Sequence, residues 1–128
     1  MRGMDYIAWD PKHKHLFKVR EWGQTSEGNV WAKSKRNGFQ HWNPEFFQFT
    51  GKREFFEDGT QGKKVYEGYI VRGRFKNKVS GSGFSIEGEI QYSDYFSQFM
   101  IMCNGVGYGL GGGNDYQLVR LEIRGKKY

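Results

Sequence analysis

Residues 46–73 read FFQFTGKREFFEDGTQGKKVYEGYIVRG, and this stretch decides the fold class. Phe47 and Phe49, then Tyr66, Gly68 and Ile70, recur at every second position. That period belongs to β-strands, whose side chains alternate between two faces. Asp58-Gly59 and Gly62 interrupt the runs. Asp-Gly is turn chemistry, because glycine accepts positive φ without a Cβ clash. The expectation is two antiparallel strands joined by a loop longer than a tight turn, the second strand running from Tyr66 through Arg72.

Composition supports the same class. Aromatic residues reach 18%, and glycine occurs 19 times in 128 residues, against 2 prolines. Aromatic side chains favour strands and bury large areas. Alanine, the best helix former, stands only at Ala8 and Ala32. A chain of this length can bury a core without disulfides, and its single cysteine, Cys103, forms no internal one. No apolar run is long enough to span a membrane and no signal-peptide core is visible. The expected location is a bacterial cytoplasm, with no membrane partner. The net charge of +6 is compatible with nucleic acid.

Outward from the central stretch, the pattern yields further strands. Met4–Trp9 and Leu16–Trp22 form a hairpin across the Asp10-Pro11-Lys12-His13-Lys14 turn. Val30–Ala32 and Phe39–Trp42 flank a basic turn ending in Asn37-Gly38, a type I′ signal. Pro44–Gln48 is the one place for a short helical turn. Tyr69–Lys76 places Arg72, Arg74 and Lys76 on one face. Phe84–Tyr92 alternates apolar and polar side chains as a half-buried strand does. Phe96–Cys103 and Tyr116–Arg124 follow, the latter with Leu118, Arg120 and Glu122 on one face and Val119, Leu121 and Ile123 on the other. Between them lies a Gly-rich loop, residues 104–115.

Three segments carry a resemblance: Phe49-Thr50-Gly51 with Gly62-Lys63-Lys64 and Tyr66-Glu67-Gly68-Tyr69-Ile70-Val71, then Ile7-Ala8-Trp9-Asp10, then Leu121–Gly125 with Tyr128. Together they resemble the YopX-like proteins of temperate bacteriophages and prophages. Tyr69 stands where the family pattern has Asp. The resemblance touches both ends and the middle of the chain, leaving roughly residues 20–45 and 104–115 unmatched. It implies a mainly β protein of phage origin, one domain over residues 1–128. An N-terminal hairpin region (1–45) would lead into a small SH3-like β barrel (46–128) with little or no helix. It implies no defined activity.

Few residues suggest chemistry. Gly107-x-Gly109-x-x-Gly112 fits the dinucleotide fingerprint in form, but that motif works at a helix N-terminus after a parallel strand. An inter-strand loop is the expectation, with Tyr108 as a candidate binding residue in it. His13-x-His15 could chelate a metal, yet Lys12 and Lys14 flank it and His41 is remote in sequence. A solvated basic turn, with no metal and no cofactor, is expected. Cys103 has no sequence neighbour that would make a thiolate, and Glu87 and Glu89 have the spacing of a solvent face. No catalytic residue is assigned.

The basic and aromatic residues give the best functional lead. Trp31, Lys33, Lys35 and Arg36 form one cluster, and Arg72, Arg74, Lys76 and Lys78 with Phe75 form another. Cations can track phosphates while rings stack on unpaired bases. The same cations can instead protect strand edges from aggregation. The expected function is a non-enzymatic phage accessory module binding DNA or RNA. The alternatives are a protein–protein module, pairing with copies of itself or a host protein, and, last, a small-molecule enzyme.

Overall fold

In the computed structural model, residues 5–113 and 115–127 are described. Every regular element among them is a strand: β1 (Tyr6–Asp10), β2 (His15–Gln24), β3 (Val30–Ser34), β4 (Gln40–Trp42), β5 (Glu45–Phe55), β6 (Gln61–Tyr66), β7 (Tyr69–Asn77), β8 (Gly83–Ser93), β9 (Gln98–Cys103), β10 (Val106–Gly109) and β11 (Tyr116–Lys126). The chain divides into two compact units, Met1–Phe49 and Thr50–Tyr128. Met4, Asn114 and Tyr128, which the sequence reading included, lie outside the described residues.

In the first unit the strand order is β5-β1-β2-β3-β4. The β1–β2 hairpin forms as expected, with Asp10 opposite His15. Asp10 opens the turn by accepting the backbone N–H of Lys12 (2.9 Å) and of His13 (3.1 Å) on Oδ1. Such side-chain caps offer turn amides a local partner. The core is Ala8, Phe17 and Ala32, with Val19 and Phe46 packed on it. Both alanines of the chain are fully buried. They pack with Phe17 in that core.

Two local expectations fail here. Pro44–Gln48 is not helical: Asn43 turns the chain with a φ of 49°, and β5 begins at Glu45. Edge pairing with β1, Trp9 to Glu45 through Tyr6 to Gln48, supplies the backbone partners that a helical turn would have supplied. The Asn37-Gly38 turn is not type I′, which needs positive φ at both residues. Only Gly38 has it. Asn37 Oδ1 instead accepts the Phe39 N–H (3.0 Å), and the loop closes between Ser34 and Phe39. The wider loop sets Trp31 opposite Trp42 and Lys33 opposite Gln40.

In the second unit the order is β10-β9-β8-β7-β11-β5, with β6 also pairing β5. The path among the described residues is open: β10 does not return to β6, so the closed SH3-like barrel is not what these pairings form. Phe56–Thr60 makes the expected long connection between β5 and β6. The stretch Tyr66–Arg72 is not one strand. Gly68 (φ 85°) breaks it, and its backbone is pinned by the Ile90 carbonyl and the Lys127 N–H. The Gly-rich segment is not merely a loop, since β10 lies within it and pairs with β9. The strand expected from Phe96 begins at Gln98, after Ser97 (φ 51°) completes the turn.

A bulge between Leu118 and Arg120 also revises β11. The extra residue shifts the alternation. Leu118 and Leu121 are therefore both buried, while Arg120 is exposed. The core of this unit includes Val65, Val71, Phe75, Ile90, Ile101 and Leu121. Around Phe75 the rings of Phe84 (5.5 Å) and Tyr108 (6.0 Å) gather.

Gly88 allows the β9 backbone to approach β8 closely at Met102. A Cβ there would overlap the Met102 backbone carbonyl, which cannot swing aside as a side chain could. Gly88→Ala should cost about 1–3 kcal/mol, as overpacking does. Gly125→Ala, which meets nothing within 4 Å, should change stability by less than about 0.5 kcal/mol. Urea unfolding of the two variants checks the contrast, and equal midpoints would refute it.

Candidate functional sites

The end of β1 carries a buried polar cluster. Asp10 and His41 are 2% and 5% exposed, in a unit whose other fully enclosed groups are mostly apolar. Asp10 Oδ2 lies 2.6 Å from His41 Nδ1 and 2.7 Å from His13 Nδ1. His41 comes from β4, while His13 stands on the exposed β1–β2 turn. The His41 ring stacks on Phe17 at 4.1 Å and on His15 at 5.7 Å, and meets Phe39 edge-on at 5.0 Å. Aromatic walls thus fix the imidazole plane, and the carboxylate fixes its rotation.

Burial pushes the Asp10 carboxyl up, as desolvation of a charge must. The hydrogen bonds from His41, from the His13 side chain and backbone, and from the Lys12 backbone outweigh it. The net result holds the group well below the usual aspartate range. The solvated basic turn expected from sequence is therefore only half right: Lys12, His13 and Lys14 are exposed, but Asp10 is not. His15 is not grouped with His13; the side chains that gather near His13 are those of Asp10 and His41.

A second surface lies on the β2–β3–β4 sheet. Gly23, Trp31 and Trp42 stand in register across the three strands. The Trp31 indole occupies the space above Gly23, where a Cβ would fall 2.7 Å from Cζ2. Trp31 and Trp42 are directly opposed, where Cβ atoms stand about 4.5–5.5 Å apart, while the Trp31 ring leans the other way, toward Gly23. Trp42 is 52% exposed. Lys33 Nζ lies 5.6 Å from the Trp31 ring centre and 3.6 Å from Glu21. Lys35 and Arg36 are exposed and line a groove of 320 Å³ with His15, Phe17 and Lys18.

The third surface belongs to the second unit. Arg72, Arg74 and Lys76 do share one face of β7, alternating with buried Val71, Gly73 and Phe75. Arg74 faces Arg120 on β11 and Ser85 on β8; Arg72 faces Glu122 and Glu87. A cleft of 410 Å³ is lined by Glu57, Arg72, Arg74, Ser85, Arg120 and Glu122. Like charges directly opposed across strands are unfavourable. The Arg74–Arg120 pair is relieved by Glu57 (3.6 Å from Arg74), Glu122 (3.4 Å from Arg120) and the Phe56 ring, 5.3 Å beneath Arg120. Glu87 and Glu122 are engaged by Arg124, at 3.5 and 3.6 Å. Arg72 makes no ion pair among the described residues.

The remaining sequence candidates fall elsewhere. Phe75 is core, 2% exposed, and stacks on nothing outside the fold. Tyr108 is a strand residue packed against Phe75 and Phe84, not a loop ligand. Lys78 Nζ donates to the Gly113 carbonyl at 3.0 Å, which ties two loops together. Cys103 is a half-buried free thiol at the end of β9. Sequence reasoning missed Arg120 and Trp42, whose placement depends on a bulge and on a loop length. It also missed Asp10 with His41, which are 31 residues apart. No protein family, curated protein or solved structure matches this chain.

The Asp10 cluster makes acid stability testable. A carboxyl held low when folded contributes stability that is fully present above its ordinary value of 3.8 and is lost as pH falls below it. Asp10→Asn removes that dependence. The difference in unfolding free energy between wild type and variant should be largest near neutral pH. It should shrink below pH 3.8, by at most about 1.4 kcal/mol per pH unit. Thermal unfolding from pH 7 to pH 2 checks this, and a pH-independent difference would refute it.

Proposed function

We propose that this chain is a non-enzymatic β module that binds nucleic acid, with phosphates held by arginine and bases stacked on tryptophan. The observation that carries the reading is the 410 Å³ cleft where Arg72, Arg74 and Arg120 converge and Arg72 lacks an ion pair. Glu57 and Glu122 offset the charges of Arg74 and Arg120, and an anion in the cleft would give Arg72 the partner it lacks. Guanidinium groups suit phosphate because they present donors in a planar fork. Trp31 and the exposed Trp42, opposed in register with Lys33 near the Trp31 ring, offer rings on which an unpaired base can stack. Lys18, Lys35 and Arg36 add positive charge around a groove of the same unit.

The resemblance to YopX-like proteins supports an origin in a temperate phage or prophage, and with it a bacterial cytoplasmic setting. The β7–β11 sheet is offered as an open variant of the SH3-like barrel that the resemblance implies. None of the elements described is a helix that could cross a membrane.

A second reading, self-association, has one observation in its favour. β10 is the outermost strand of its sheet, and Tyr95, Phe96 and Val106 are exposed at 89%, 59% and 53%. An open edge can pair with another copy.

Fluorescence anisotropy with single- and double-stranded oligonucleotides across a salt series tests the proposal. Binding should weaken steeply with salt. Arg72→Ala should lower the slope of log K against log salt by about 0.7–0.9 for a lost phosphate contact. Trp42→Ala should cost single-strand binding about 1–3 kcal/mol, with a smaller effect on duplex. No binding at low salt would end the nucleic-acid reading, and a concentration-dependent dimer in light scattering would then favour assembly.

A further inference from the structure

We infer that Asp10, His13 and His41, none of which lines the cleft or groove proposed to bind nucleic acid, form a binding site for a divalent transition-metal ion of the zinc class. Three potential ligand atoms, one from each residue, lie within 4.8 Å of one another. They come from three places in the first unit: the end of β1, the turn after it, and β4. Only the fold unites them, since no spacing in the sequence links His41 to the other two.

The distances suit a small cation. Zinc bonds nitrogen and oxygen at about 2.0–2.2 Å in a tetrahedral shell, so neighbouring ligand atoms stand about 3.3 Å apart. Here the carboxylate–imidazole separations are 2.6 and 2.7 Å, and the widest ligand separation is within 4.8 Å. These values bracket the tetrahedral edge. Opening the two short contacts by about 0.7 Å converts hydrogen bonds into a coordination shell. His13 can supply the movement at its own contact, because its side chain is 56% exposed on the turn, while the Asp10–His41 contact opens by a small rotation of the carboxylate.

The surroundings have the features of a supported site. Asp10 Oδ2 faces the two imidazoles, while Oδ1 is held by the backbone amides of Lys12 and His13. That second layer of hydrogen bonds orients a ligating carboxylate. Phe17 holds the His41 ring plane from one side. The exposed side of His13 leaves a coordination position for water. Two imidazoles and one carboxylate favour zinc, cobalt or nickel over calcium and magnesium, which prefer oxygen alone. On binding, the ion takes the place of the protons on the Nδ1 atoms. Those protons move to Nε2 or pass to solvent, and the ion sheds waters in exchange. The exposed ammonium groups of Lys12 and Lys14 are free to swing into solvent, so they weaken the site without closing it.

The test is titration of the tag-free, chelator-treated full chain with Co²⁺, followed by its visible absorption. One equivalent should give a saturable band that Zn²⁺ abolishes. His13→Ala lies on an exposed turn and should leave the fold intact by circular dichroism. It should weaken binding at least about 100-fold, since losing even an outer-layer partner costs 10–100-fold. His15→Ala and Cys103→Ser should keep the one-to-one band. The inference is overturned if the wild type binds no Co²⁺ below millimolar concentration, if His13→Ala binds as well as wild type, or if Cys103→Ser abolishes the band. Oligonucleotide binding that survives in His13→Ala would keep the two proposals distinct.

Discussion

A chain made only of strands has no local way to satisfy its backbone. Each N–H and C=O must find a partner on a neighbouring strand, because an unpaired buried group costs about as much as a lost hydrogen bond. Register is therefore the master constraint in this protein. Register in turn is set at the turns, by the residues that accept a left-handed backbone. Lys14, Gly38, Asn43, Gly68 and Ser97 are such residues here. Where each falls determines which side chain meets which across every strand pair that follows.

The surface chemistry descends from those registers. The loop that closes between Ser34 and Phe39 brings Trp42 beside Trp31. A two-residue turn at Asn37-Gly38 would have set Trp42 beside Lys33 instead, and Trp31 and Trp42 would not be opposed. The bulge between Leu118 and Arg120 moves Arg120 out of phase with Leu118 and onto the same face as Arg74. Without that extra residue Leu118 and Arg120 would share a face, so either Leu118 would point to solvent or the cleft would lose one of its three arginines. Both devices exchange some local regularity for a particular arrangement of charge or aromatic surface.

The Asp10 cluster shows the same logic in the interior. Burying a carboxylate is costly unless it is hydrogen-bonded, and here one oxygen serves the turn while the other serves two imidazoles. The turn that sets the β1–β2 register is thus held by the same side chain that positions His41. Fold and potential chemistry share one group, so neither can change alone.

Much was legible in the sequence. The two-residue period, the shortage of alanine and the turn chemistry of Asp10-Pro11 and Asp58-Gly59 determined an all-β protein, most of its strands, and the shared face of Arg72, Arg74 and Lys76. These are local properties, carried by neighbours in the chain. Tertiary structure alone decided that Phe75 and Tyr108 would be core, that the path among the described strands would stay open, and that Trp42, Arg120 and His41 would join residues far from them in sequence. The reason is that periodicity reports which residues share a face of one strand, not which strand lies next to it. Adjacency depends on loop lengths and bulges, where one added residue reverses every face beyond it.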